Sequence, residues 1–222
     1  KNVYFGDLHV HTKYSFDAYV FGVTGSPDDA YMYAKGGSVK HPLGYDLQLR
    51  EPLDFYAVTD HGFFMGMINN YADTSSRISK KDFTKPFHNM NADVASNTLD
   101  ENLDTFPERT AMFSDVVAST INMPYFDLHP KVMAAYFTRN VQLALKSFDY
   151  KVHKSAWADM ARAAEEHNDP GNFTTFLAYE YTTSTDVEGG NLHRNVFFEG
   201  SKRPLRPFTL SLIHISEPTR RP

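Results

Sequence analysis

Gly6-Asp7-Leu8-His9-Val10-His11-Thr12 is the stretch whose reading decides the fold. It closes an apolar run, Val3-Tyr4-Phe5, and together they predict a strand over residues 2–10. Residues two apart on a strand point to one face, so His9 and His11 reach the same small volume. Imidazoles paired in this way suit a transition metal such as zinc, manganese or iron. A pattern this short also arises as two unrelated surface histidines, and the choice depends on what stands further along the chain.

A loop, Thr12 to Gly25, carries Ser15 and Asp17. Ser26-Pro27-Asp28-Asp29 then starts a helix: serine caps it, proline takes the first turn, and two acids complement the dipole. That helix runs to Lys35 and stops at Gly36-Gly37. Residues 52–59 predict a second strand, apolar on both faces toward its end, as in a parallel strand covered by helices. It delivers Asp60-His61-Gly62 just past its C-terminal end.

Residues 63–105 are rich in Asn, Asp, Ser and Lys and predict loops and short helices, an insertion over the site. Helices are expected over 107–121, 130–147 and 155–168. In the last, Trp157, Met160, Ala161 and Ala164 form a stripe at helical spacing, a pattern of core packing. Asp169-Pro170-Gly171 ends it, and strands follow over 173–181 and, after Gly189-Gly190, over 192–198. Helices between strands predict an α/β protein with a parallel sheet or barrel.

The 222 residues suffice for a sizeable core, and 41% apolar content with a mean hydropathy of -0.45 fits an ordinary globular chain. No run approaches the roughly 18 apolar residues of a membrane span. A net charge of -5 weighs against a nucleic-acid surface. With no cysteine, any metal must rely on His, Asp or Glu.

Four polar clusters stand at or near strand ends: His9/His11, Asp60/His61, Glu180 and His193. In parallel α/β folds functional groups gather at the C-terminal ends of strands. Taken alone, Glu180 reads more readily as a solvent-facing strand residue opposite a buried Ala178.

Gly6-Asp7-Leu8-His9-Val10-His11-Thr12, with Ser15 and Asp17, followed by Phe55-Tyr56-Ala57-Val58-Thr59-Asp60-His61-Gly62, resembles the first two motifs of the PHP superfamily (polymerase and histidinol phosphatase). Adding Tyr4-Phe5, Leu177-Ala178-Tyr179-Glu180-Tyr181 and His193-Arg194-Asn195-Val196-Phe197, the chain resembles the DUF3604 branch. The resemblance implies the N-terminal part of a distorted (β/α)7 barrel, with two or three divalent ions (Zn, Mn or Fe) at the strand C-termini. It implies a metal-dependent phosphoesterase acting on a small phosphorylated substrate through a metal-activated water. His9 and His11 would hold one ion, Glu180 would bridge to a second, and His193 would help complete that one. Asp17 and His61 would match ligands of a third.

Asp60 and Arg194 are the remaining candidates near the chemistry. Asp60 is expected to orient a ligand. Arg194 reads either as a clamp on a phosphate oxygen or as an outward-facing partner for a carboxylate. Ser15 is expected to shape its loop. His41, His88, His129, His153 and His167 have no partner motif; most are expected at the surface, with His41 and His129 near the entrance. Asp28, Asp29, Glu165 and Glu166 read as solvated helix charge.

The later His and Asp-x-His of the resemblance have no counterpart here. Residues 210–220 resemble a translated sequencing adapter, so the expected domain is 1–209, a truncated barrel, with 210–222 a non-native tail. A non-catalytic metal-binding or regulatory module is the alternative to an enzyme. Absent Cys and a start without Met are compatible with a periplasmic or secreted bacterial protein, which is the expectation for localisation. The sequence carries no signal of oligomeric state.

Overall fold

The computed structural model describes residues 2–41, 44–92, 105–113, 148–184, 191–200 and 202–207. β1 (Gly6–Val10) lies parallel to β4 (Phe55–Val58), pairing Gly6 with Phe55 and Asp7 with Tyr56. The register then slips, so that Val10 pairs with Val58. One extra residue on β1 makes this a bulge at Leu8-His9, a device that re-aims side chains beside functional sites. Its loose backbone groups are held by side chains: the His9 N–H donates to Asp7 Oδ1 (2.9 Å) and the Val10 N–H to Thr59 Oγ1 (3.0 Å).

On the other side of β4 runs β5 (Thr174–Thr175), also parallel. β6 (Ala178–Ser184) continues its line: the Glu180 N–H donates to Asp60 O (3.1 Å) and the Gly62 N–H to Glu180 O (2.8 Å). β7 (Asn191–Phe197) pairs antiparallel with β6, from Ala178 opposite Phe197 to Ser184 opposite Asn191. The strand order is therefore β1, β4, β5/β6, β7. Flat, three strand spacings would put β1 and β7 about 14 Å apart. Yet Asn195 on β7 donates its Nδ2 to the Leu8 carbonyl on β1 at 3.0 Å. The sheet must therefore be strongly curled. β2 (Val39–Lys40) and β3 (Asp46–Leu47) form a separate small hairpin.

Local chemistry sets the helix ends. At α2 (Pro27–Ala34) the Ser26 hydroxyl accepts from the Asp29 N–H while Asp29 accepts from the Ser26 N–H, a closed capping box with Pro27 in the first turn. α4 (Tyr150–His167) is capped by Asp149, which accepts from the Lys151 N–H at 2.9 Å and the Val152 N–H at 3.4 Å. α1 (Phe16–Val20) precedes α2, and between α2 and α4 come α3 (Met67–Ala72) and two 3-10 turns, Ile78–Lys80 and Asp82–Phe87.

α2 and α4 cover one face of the sheet. Tyr31, Ala34, Trp157, Met160, Ala161 and Ala164 bury against Tyr56, Val58 and Tyr179, each large apolar side chain contributing about 1.5–3 kcal/mol. A second core joins α1 to α3 through Phe16, Val20, Phe63, Met67, Ile68 and Tyr71.

The stripe on α4 is core as expected, but the helix begins at Tyr150, a turn and a half ahead of Ser155. The first strand is shorter than expected: Val3, Tyr4 and Phe5 are exposed and precede β1. The strand expected over 173–181 is split into β5 and β6. The loop from Thr12 to Gly25 contains α1. Residues 105–113 are helical, while 114–121, the helix expected over 130–147, His129 and the tail 210–222 lie outside the described residues. The architecture is mixed α/β, and among the described residues the curled sheet does not close into a barrel. Among those residues no helix is long and apolar enough to cross a membrane.

Candidate metal centre

Four chain segments converge at one end of the curled sheet. The bulge of β1 presents His9 and, just beyond it, His11. The first turn of α1 presents Asp17, and the chain leaving β4 presents His61. In the β6–β7 ladder Glu180 is paired with Asn195 and Thr182 with His193, so alternation puts all four side chains on one face. Gly62 lets β6 approach, because a Cβ there would lie 2.7 Å from the Tyr179 ring.

Oε2 of Glu180 lies 3.0 Å from His9 Nε2 and 2.7 Å from His11 Nε2, and those two nitrogens are 3.2 Å apart. On its other side His11 Nδ1 faces Asp17 Oδ1 at 3.3 Å, and Asp17 Oδ2 is 3.3 Å from His61 Nε2. Oε1 of Glu180 meets His193 Nδ1 in a close contact. Three donor groups result: His9, His11 and Glu180; His11, Asp17 and His61; His61, Glu180 and His193. All six residues singled out as ligand candidates therefore meet in one cluster. Glu180 is 0% exposed, whereas the His9 side chain is 55% exposed and opens the cluster to solvent.

The electrostatics favour a cation. Burial pushes the His11 imidazole down, but Asp17 and Glu180 outweigh it and hold the pKa up at about 10. Burial likewise pushes the Glu180 carboxyl up, and His11, His61 and His193 prevail, holding it at about 2. For Asp17 burial opposes, and His11 and His61 hold the carboxyl far below the usual range. A neutral imidazole has one N–H, yet His11 faces carboxylates through both nitrogens. A proton or a metal ion among these donors would satisfy both carboxylates. Donors about 2.1 Å from one ion stand ~3 Å apart, and these nitrogen and carboxylate atoms, at 2.7–3.3 Å, fit a borderline divalent ion.

Asp60 does not face the cluster's donors. Fully buried, it accepts from the Thr12 hydroxyl (2.6 Å) and the Thr12 N–H, pinning the backbone next to His11. Burial pushes its carboxyl up to about 6 despite those hydrogen bonds. Ser15, also buried, lies 3.1 Å from His11 Nδ1 and donates to Asp17, so it shapes the loop. Arg194 is not brought to the site: it alternates with His193 onto the opposite face of β7, and its side chain is exposed. Of the two readings of Arg194, this placement agrees with the outward-facing one.

Among the other histidines, His41 stacks on Tyr45, His88 bonds the Ser79 carbonyl at 2.8 Å, and His167 meets Asp28 at 3.1 Å. His153 corrects the surface expectation. It is buried on α4, with Nε2 2.7 Å from the Gly62 carbonyl. Two residues of the site carried no assigned role in the sequence, Thr182 and Asn195. Each stands two along from a ligand candidate, and strand periodicity from Glu180 and His193 is the signal that finds them.

This is a mixed α/β protein with a cluster of imidazoles and carboxylates at the sheet end that could hold a metal ion. The chain belongs to the family described as Protein of unknown function (DUF3604), whose profile it matches over residues 1–219, a span that reaches through most of the tail set apart above. No curated protein and no solved structure matches it.

Proposed function

We propose that this chain carries the metal centre of a PHP-type hydrolase that cleaves phosphate esters with a metal-activated water. The observation that supports the reading most is the overlap of the donor groups: the buried carboxylate Glu180 belongs to two of the three, as a group bridging neighbouring ions does. His9, His11 and Glu180 would hold one ion, Glu180 and His193 would help hold a second, and Asp17 and His61 would help hold a third. Bound divalent ions supply a water of lowered pKa and polarise the phosphoryl oxygens.

The chain's own residues do the positioning. Glu180, buried and ionised, keeps the centre charged and fixes the spacing of His9, His11 and His193. Asp60 holds Thr12, and through it the backbone direction of His11. Exposed His9 marks the side from which a small phosphorylated substrate enters.

The test is hydrolysis of a panel of phosphomonoesters and phosphodiesters with added Zn2+ or Mn2+, wild type against His9→Ala. Turnover by wild type that His9→Ala loses supports the proposal. Equal turnover by the two proteins contradicts it, and ion binding without turnover of any ester leaves a metal-binding module.

A further inference from the structure

His61 stands between two of the donor groups and can serve only one with each ring nitrogen. Its Nε2 is 3.3 Å from Asp17 Oδ2, on the side shared with His11. Its Nδ1 is 3.7 Å from Glu180 Oε2, on the side shared with His193. The ring is held by aromatic neighbours, Phe16 at 5.0 Å and Phe63 at 5.4 Å between centroids, so it does not choose by swinging. What distinguishes the two nitrogens is Thr182. Its hydroxyl lies 2.6 Å from His61 Nδ1, and Thr182 is 2% exposed.

We infer that Thr182 is a positioning residue: its hydroxyl accepts the Nδ1–H of His61 and so commits Nε2 to the ion held with Asp17. A histidine ligand keeps its metal-facing lone pair when the other ring nitrogen donates to a fixed acceptor, and among the described residues the Glu180 carboxylate stands farther from Nδ1 than this hydroxyl does. The same hydrogen bond withdraws His61 from the Glu180–His193 side, which leaves the two ion positions unequal. Register explains the placement, because Thr182 follows Glu180 by two residues on β6 and faces the cluster with it. The inference rests on the metal reading of the cluster.

The bland account of Thr182 is that a β-branched residue suits a strand, and two substitutions separate the accounts. Thr182→Val keeps the branch and removes the hydroxyl; Thr182→Ser does the reverse. The full chain is titrated with Co2+ and Zn2+ by equilibrium dialysis, following the visible spectrum of Co2+, with circular dichroism of the ion-free proteins as the folding control. Thr182→Val is expected to weaken one class of ion by about 10–100-fold, the usual cost of losing a ligand's hydrogen-bond partner. Thr182→Ser is expected to bind as wild type. Adding Asp17→Asn to Thr182→Val should cost little beyond Asp17→Asn alone, since both act on one ion. Wild-type affinity in Thr182→Val, or equal weakening in Thr182→Ser, overturns the role of the hydroxyl while the metal reading stands. A wild type that binds no ion overturns both.

Discussion

Oε2 of Glu180 lies 3.0 Å from Nε2 of His9, across 171 positions of chain. The contact joins the first strand of the fold to β6, and it exists because the sheet curls. Glu180 is also the only one of the six ligand candidates that is fully buried.

From that sharing follows the first prediction. Glu180→Gln keeps the shape and removes the charge that His9, His11 and His193 face. Losing a partner that merely supports a ligand costs about 10–100-fold, so a shared donor should cost at least the upper end. Initial rates on the ester that wild type cleaves best are expected to fall by about 100-fold or more.

Ion uptake should release protons. The His11 pKa is raised to about 10, so the imidazole is protonated at neutral pH in the ion-free protein, and an ion must displace that proton. Affinity is therefore expected to rise with pH across the neutral range. Calorimetry in buffers of different ionisation enthalpy measures the release directly. For folding the sign is the opposite: a raised His pKa stabilises below about 6.5, and that contribution fades as pH climbs toward 10. Ion-free protein should lose part of its stability over that window.

Asp60 gives a pH signature of its own. Its folded pKa, about 6, stands above the ordinary value of 3.8, so its contribution is most favourable below pH 3.8 and is lost as pH rises through 6. Urea unfolding at pH 4 and 7 should show this loss in wild type, and Asp60→Asn should lack it. Asp60→Ala strands the Thr12 N–H and should cost about 1–3 kcal/mol at both pH values.

Parts of this fold could be read locally. Ser26, Pro27 and Asp29 specify the start of α2 within four residues, and Trp157, Met160, Ala161 and Ala164 declare the buried face of α4, because capping and periodicity are properties of a short stretch. His9 and His11 marked the site for the same reason. The bulge at Leu8-His9 could not be read, since it is a register between β1 and β4. The choice between the two readings of Arg194 could not be made locally, because its face depends on which side of β7 packs inward. His153 looked like a surface residue until α4 was extended back to Asp149 and laid against Gly62. Thr182 and Asn195 needed the β6–β7 pairing before their side chains had an address.

Gly66 tests the packing of the start of α3 against α4. Its φ is +72°, and a Cβ there would stand 2.6 Å from the Ala156 Cβ on α4. A side chain in the left-handed region and overpacking each cost at least about 1 kcal/mol. Gly66→Ala is expected to lower stability by about 2 kcal/mol or more in urea unfolding. Ala156→Gly should restore part of that loss in the double variant.

The central claim is that this cluster holds several ions on shared donors. Its most direct test is the number of divalent ions bound per chain, measured by equilibrium dialysis and elemental analysis in wild type, His9→Ala and Glu180→Gln. The account predicts more than one ion in wild type, with His9→Ala losing the ion of its own group and Glu180→Gln depleting the two groups it serves. A wild type that binds none, or binding that both substitutions leave unchanged, would contradict it.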